Sequence, residues 1–123
     1  MSLTQLYKLE REEAKKYYGG IGVLSCPALN EEVFFHNSGF RHLIYKETKF
    51  RPIPEQLKRF RALRHAKDIL CNAISFSEYR EEVDRTTTAY FWAFEKEIGK
   101  EKITVVLRKI DQGPLHFFST RSQ

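Results

Sequence analysis

Cysteine is scarce in this sequence. Cys26 and Cys71 lie in separate segments, with no CxxC pair and no neighbouring histidine at metal-ligand spacing. That pattern argues against a disulfide framework or a zinc site and reads as two buried thiols in a reducing compartment. Long hydrophobic runs are missing too. No apolar stretch approaches the roughly 20 residues a bilayer-crossing helix needs, and the N-terminal MSLTQLYKLEREEAKK carries too many charges for the apolar region of a secretory signal. The chain therefore reads as cytoplasmic, with no membrane partner. No internal repeat, low-complexity segment or linker divides it, so a single domain over residues 1–123 is expected, with a helix at 1–18 and the core at 19–123.

What is present supports a packed core. Of the 123 residues 41% are hydrophobic and 14% aromatic, including ten Phe and six Tyr, enough apolar surface to offset the entropy of ordering the chain. Lys and Arg outnumber Asp and Glu by 21 to 16, a net charge of +5, which favours a polyanionic partner.

Residues 3–18 show apolar positions along one arc, with Ser2 and Gln5 at capping-box spacing and Gly19-Gly20 as a stop signal. IGVLSCPAL predicts one edge or irregular strand with a turn at Asn30, and EVFF a second short strand. FRHLIYK, with Asn37 or Ser38 as N-cap, predicts one or two helical turns. Residues 54–73 open with a proline and hold no further breaker for about five turns. There Ala62, Leu63, Ala66, Ile69, Leu70 and Ala73 share one face and Lys58, Arg61, Arg64 and His65 the opposite one. Near residue 86 the composition changes. TTTAYFWAFEKEI, KITVVLRKI and LHFFST are rich in β-branched and aromatic residues and are joined by short turns. An α+β domain is expected, with N-terminal helices packed on a C-terminal antiparallel meander.

The stretch VFFHNSGFRHLIYK sets His36 and His42 six positions apart around a Ser-Gly turn signal. Histidine titrates near neutrality, so the pair could provide a proton acceptor and a proton donor; a capped turn plus a half-buried polar contact is the plainer alternative. Arg41, Lys46, Lys49 and Arg51 stand nearby, an array suited to a phosphodiester or, equally, to a solvated loop. Lys58, Arg61 and Arg64 extend the positive charge along the long helix. Simple alternation puts Thr104, Val106 and Arg108 on one strand face, His116, Phe118 and Thr120 on one face of the next strand, and Ser119 on the other. Arg108, His116 and either Ser119 or Thr120 would then meet a substrate on the uncovered side of the sheet. No Asp, Glu or Cys cluster completes a metal set around the histidines.

The order of elements, a His-bearing turn, a basic helix and a meander ending in HFFST, resembles the barnase, EndoU, colicin and RelE superfamily of ribonucleases, particularly its small phage and mobile-element members. FRHLIYK is similar to the segment with His-Leu after an aromatic residue that precedes their main helix, and the final-strand Ser or Thr also matches. The resemblance spans roughly residues 20–120. It implies RNA cleavage by the ribose 2′-hydroxyl to a cyclic phosphate, with no metal or other cofactor, and a toxin-like role with RNA and an inhibitory protein as partners. Carried over by position, His42 matches the family histidine, Lys46 stands for its basic partner, and Ser119 or Thr120 for the final-strand hydroxyl. His36 and Arg108 complete the expected catalytic set, with Arg41, Arg51, Lys58, Arg61, Arg64, His116 and Thr120 as substrate contacts. A strand-borne Glu base has no clear counterpart, since Glu95 and Glu97 fall where either could face solvent. The alternative is a non-catalytic nucleic-acid- or protein-binding accessory domain of a phage or mobile element.

Overall fold

The computed structural model describes residues 1–123. It is an α+β fold, with N-terminal helices followed by C-terminal antiparallel strands. Helix α1 (Leu3–Ile21) begins at the expected capping box, in which Ser2 and Gln5 satisfy one another's backbone N–H groups. It does not stop at Gly19-Gly20. The helix runs through both and ends before Gly22, whose φ of 64° supplies the left-handed turn into β1 (Val23–Cys26). A tight turn with Asn30 at φ 53° returns the chain along β2 (Glu31–Phe34).

Helix α2 (Asn37–Ile44) follows, one residue earlier than an Asn37 cap would give: His36 is the N-cap, without a side-chain capping bond. The Ser-Gly pair is therefore inside the helix. A Cβ on Gly39 would clash with the Tyr18 hydroxyl and lie 2.8 Å from both Cδ1 and the backbone oxygen of Phe117. Glycine here marks close packing of α2 on the sheet. After a short ribbon of β3 (Tyr45–Lys46) and β4 (Lys49–Phe50), the expected long helix is two, α3 (Ile53–Leu63) and α4 (Ala66–Asn72). At Arg64 and His65 the backbone tightens into bonds back to Arg61 O and Ala62 O, then restarts. The break needs no Gly or Pro. It lets α3 pack on β8 while α4 turns to β1 and β6; of the predicted inner face, Ala62, Leu63, Ala66, Ile69 and Leu70 are buried and Ala73 is half-buried.

The meander comprises β6 (Thr87–Ile98), β7 (Glu101–Ile110) and β8 (His116–Ser122), antiparallel as expected. Two additions complete a six-stranded mixed sheet in the order β1-β2-β8-β7-β6-β5. The strand β5 (Glu78–Asp84) forms the outer edge against β6, and β2 pairs in parallel with β8 through Phe34 and His116. Phe60, Phe94, Phe117, Leu43, Leu63 and Leu70 fill the space between helices and sheet with under 2% exposure each. At roughly 1.5–3 kcal/mol per buried side chain, this layer is what holds the helices down. No helix is long and apolar enough to cross a membrane. Cys26 is buried and Cys71 half-buried, and both are free thiols.

Candidate active site

The sheet face away from the helices carries a small apolar floor of Phe91, Ala93 and Val106, flanked by Ala89 and Phe118. Its composition is decided by an irregularity in β8. Val106 pairs with Ser119 and the next residue, Leu107, with Phe117, so Phe118 is an extra residue with no partner of its own on β7. Such a bulge reverses the alternation beyond it. Ser119, rather than Thr120, joins His116 and Arg108 on the open face, whereas Thr120 pairs with Val105 and is turned into the core, 0% exposed, donating from Oγ1 to Arg59 O at 3.2 Å. Simple alternation fails here because one inserted residue exchanges the two faces.

Phe118 is the centre of the cluster. The His42 ring lies 4.5 Å from its ring, the Arg108 guanidinium stands over it at 4.7 Å, and Phe91 meets it edge-on at 5.3 Å. Arg108 Nε donates to His116 Nε2 at 2.9 Å, while His116 Nδ1 lies 3.2 Å from Pro114 O. His36 approaches from the start of α2, its ring stacked on Phe34 at 5.9 Å and 6.0 Å from the ring of His116. Tyr18 donates to the His36 carbonyl, which ties the beginning of α2 to α1.

Arg59 enters from α3. Its Nη1 donates to Ser119 Oγ at 2.9 Å and to Thr120 O at 3.0 Å, and its other nitrogens reach Glu55. Glu55 is shared with Arg51, whose Nε donates to His42 O at 2.9 Å. One carboxylate thus joins two arginines four residues before and after it, Arg51 and Arg59, and they hold the helical and strand parts of the site together.

These neighbours set the protonation states. Burial, then the charges of Arg108, Arg51 and His116, push the His42 imidazole below its ordinary value of 6.5. His116 is also lowered, by burial first and by Arg108 and His36, against its contact with Pro114 O. Burial would raise Glu55, but the hydrogen bonds and charges of Arg59 and Arg51 outweigh it and hold the carboxyl below the usual range. Two neutral imidazoles and an ionised carboxylate therefore sit among guanidinium groups, an arrangement able to accept a proton and stabilise an anion together.

Of the expected residues, His36, His42, Arg108, His116 and Ser119 converge on this face, and Arg51 supports it from behind. Lys46 stands apart on the β3–β4 ribbon, exposed, beside a cavity it shares with Lys49, Arg51 and Glu55. Lys58 lies on the rim of another cavity with Arg59 and Arg121. Arg61 and Arg64 are engaged with Glu101 at 4.0 Å and Glu10 at 2.6 Å. Arg41 leaves α2 toward α1 and covers the Tyr45 ring at 5.0 Å. Sequence reasoning missed Arg59 and Glu55, and it placed Phe118 on the His116 face without giving it a role. The i, i+4 run Arg51, Glu55, Arg59 was a readable signal for the first two; nothing local signalled the bulge at Phe118.

No group of three or more His, Cys, Asp or Glu side chains is placed to hold a metal ion. No family model, curated protein or solved structure matches the chain.

Proposed function

We propose that the protein is a metal-independent endoribonuclease of the barnase, EndoU, colicin and RelE type, acting on RNA in the cytoplasm. The observation that carries this reading is the meeting of His42, His36, His116, Arg108, Arg59 and Ser119 around Phe118 on one open sheet face. His42, kept neutral by burial and neighbouring cations, accepts the proton of the ribose 2′-hydroxyl. The 2′-oxygen forms a bond to phosphorus and the bond to the 5′-oxygen breaks. His36, exposed beside His116, returns a proton to that leaving oxygen. Arg108 faces the negative charge that builds on the phosphoryl oxygens, while Arg59, its donors committed to Glu55, Ser119 and Thr120, holds Ser119 Oγ where it positions one of them. The products are a 2′,3′-cyclic phosphate and a 5′-hydroxyl.

The test is incubation of the purified protein with varied RNAs in excess EDTA, with the product ends identified by mass. Cyclic-phosphate products that disappear in a folded His42→Ala variant support the assignment. Uncleaved RNA from the parent protein would favour a binding module instead.

A further inference from the structure

His42 and Arg41 are neighbours in sequence, but about 100° of helical rotation separates them, and Arg41 belongs to a different cavity. This groove, about 380 Å³, lies between α1 and α2. Its cations are Arg11 and Lys15 from α1 and Arg41 from α2; Phe40, Ile44 and Tyr45 form an apolar wall. No Asp or Glu lines it, and none of its three cations takes part in an ion pair. Arg11 Nη1 donates to the Tyr7 hydroxyl at 3.3 Å, but no carboxylate offsets the three cations around this concavity, so its positive charge is uncompensated.

Gly19 is the second observation. It lies within α1, where glycine is less favourable than alanine. A Cβ there, as at the neighbouring Gly20, would meet nothing within 4 Å, and neither residue has a left-handed φ, but only Gly19 borders the groove. What the missing side chain leaves is an open wall of the groove. The volume falls within the range of small-ligand sites. The contents match a ligand with an anionic and a flat aromatic part: Arg11 and Lys15 for the anion, and the Arg41 guanidinium over the Tyr45 ring for the aromatic part.

We propose that the α1–α2 groove binds a nucleoside monophosphate unit, either as a free nucleotide or as a nucleotide flanking the scissile bond of bound RNA; only the second source rests on the ribonuclease reading. Calorimetric titration with AMP, and with a non-cleavable 2′-O-methyl oligonucleotide, separates the two. The parent is compared with Arg41→Ala, Lys15→Ala and Gly19→Glu, with Lys67→Ala on α4 as a control for general loss of charge, and all are checked by thermal melting. A groove variant is expected to weaken AMP binding about tenfold or more, on the scale of one lost charge-assisted contact, with Lys67→Ala near the parent value. If AMP does not bind but the oligonucleotide loses affinity selectively in the groove variants, the site is a flanking subsite. If groove variants and Lys67→Ala behave alike toward both probes, or neither probe binds, the proposal is overturned. AMP binding is read without any cleavage, so failure of the ribonuclease assignment leaves this measurement intact.

Discussion

Arg108 donates from Nε to Nε2 of His116 at 2.9 Å, and that bond defines the state of the imidazole. An arginine can only donate, so His116 Nε2 carries no proton, and Nδ1 donates its hydrogen to Pro114 O. Protonating His116 would replace the bond by two facing cations. His42 stands under the same constraint, close to Arg108 and Arg51.

Stability should therefore fall on the acid side of neutrality. The folded values of His42 and His116 lie below 6.5, so the unfolded chain binds more protons as pH drops past that value. Their contribution is complete above 6.5 and is lost as pH falls through the depressed folded values. Urea midpoints between about pH 8 and pH 5 should decline, and the double variant His42→Gln, His116→Gln should flatten the decline. An unchanged slope in that variant would place the sensitivity elsewhere.

Gly39→Ala should cost about 1–3 kcal/mol despite alanine's better helix propensity, because the new methyl meets the Phe117 backbone oxygen, which cannot swing aside. Gly20→Ala is the contrasting case. It lies in α1 with nothing within 4 Å of its Cβ, so it should gain up to about 1 kcal/mol. Denaturant unfolding of both variants measures the difference.

The parts of the fold that follow from period and punctuation were legible in the sequence: the capped α1, the buried face shared by α3 and α4, and the antiparallel meander. The strand β5 was not. Its EYREEVD has no buried residue, and seven pairings with β6 rather than an apolar face make it a strand. The break at Arg64 and His65 was hidden because it follows from packing on different strands, not from a helix-breaking residue. In the candidate site, the two histidines were visible as titratable groups near one another. Their convergence with Arg108 required the register of β7 and β8, and the choice of Ser119 over Thr120 required the bulge at Phe118. Neither is encoded within a short window.

The ion pairs divide the basic residues in their expected effect on RNA affinity. Arg61 and Arg64 already have carboxylate partners, whereas Lys46, Lys58 and Arg121 have none. Each contact that displaces a condensed counterion contributes about one unit to the slope of log affinity against log salt. Lys58→Ala and Arg121→Ala should each lower that slope by nearly one, Arg61→Ala and Arg64→Ala by clearly less. Filter-binding across a salt series gives these values. A parent affinity independent of salt would remove backbone phosphate contacts from the interface.

The role of His42 can be separated from a structural one by the shape of the pH–rate profile. As the proposed acceptor of the 2′-hydroxyl proton, it must be unprotonated, so the acidic limb of kcat/KM should have its midpoint below 6.5, where burial and Arg108 place the imidazole. His42→Ala should lower kcat by about a hundredfold or more and abolish that limb. Arg108→Gln tests the electrostatic cause. Removing the cation should reduce kcat by weakening stabilisation of the phosphorane and also move the acidic limb upward toward 6.5, because one of the charges disfavouring His42 protonation is gone. A histidine that merely packs against Phe118 at 4.5 Å would behave differently: its variant would lose activity only in proportion to the folded fraction and leave the limb in place. Measuring rate and melting temperature on the same samples distinguishes the two, and an acidic limb unmoved in Arg108→Gln would assign the titration to another group.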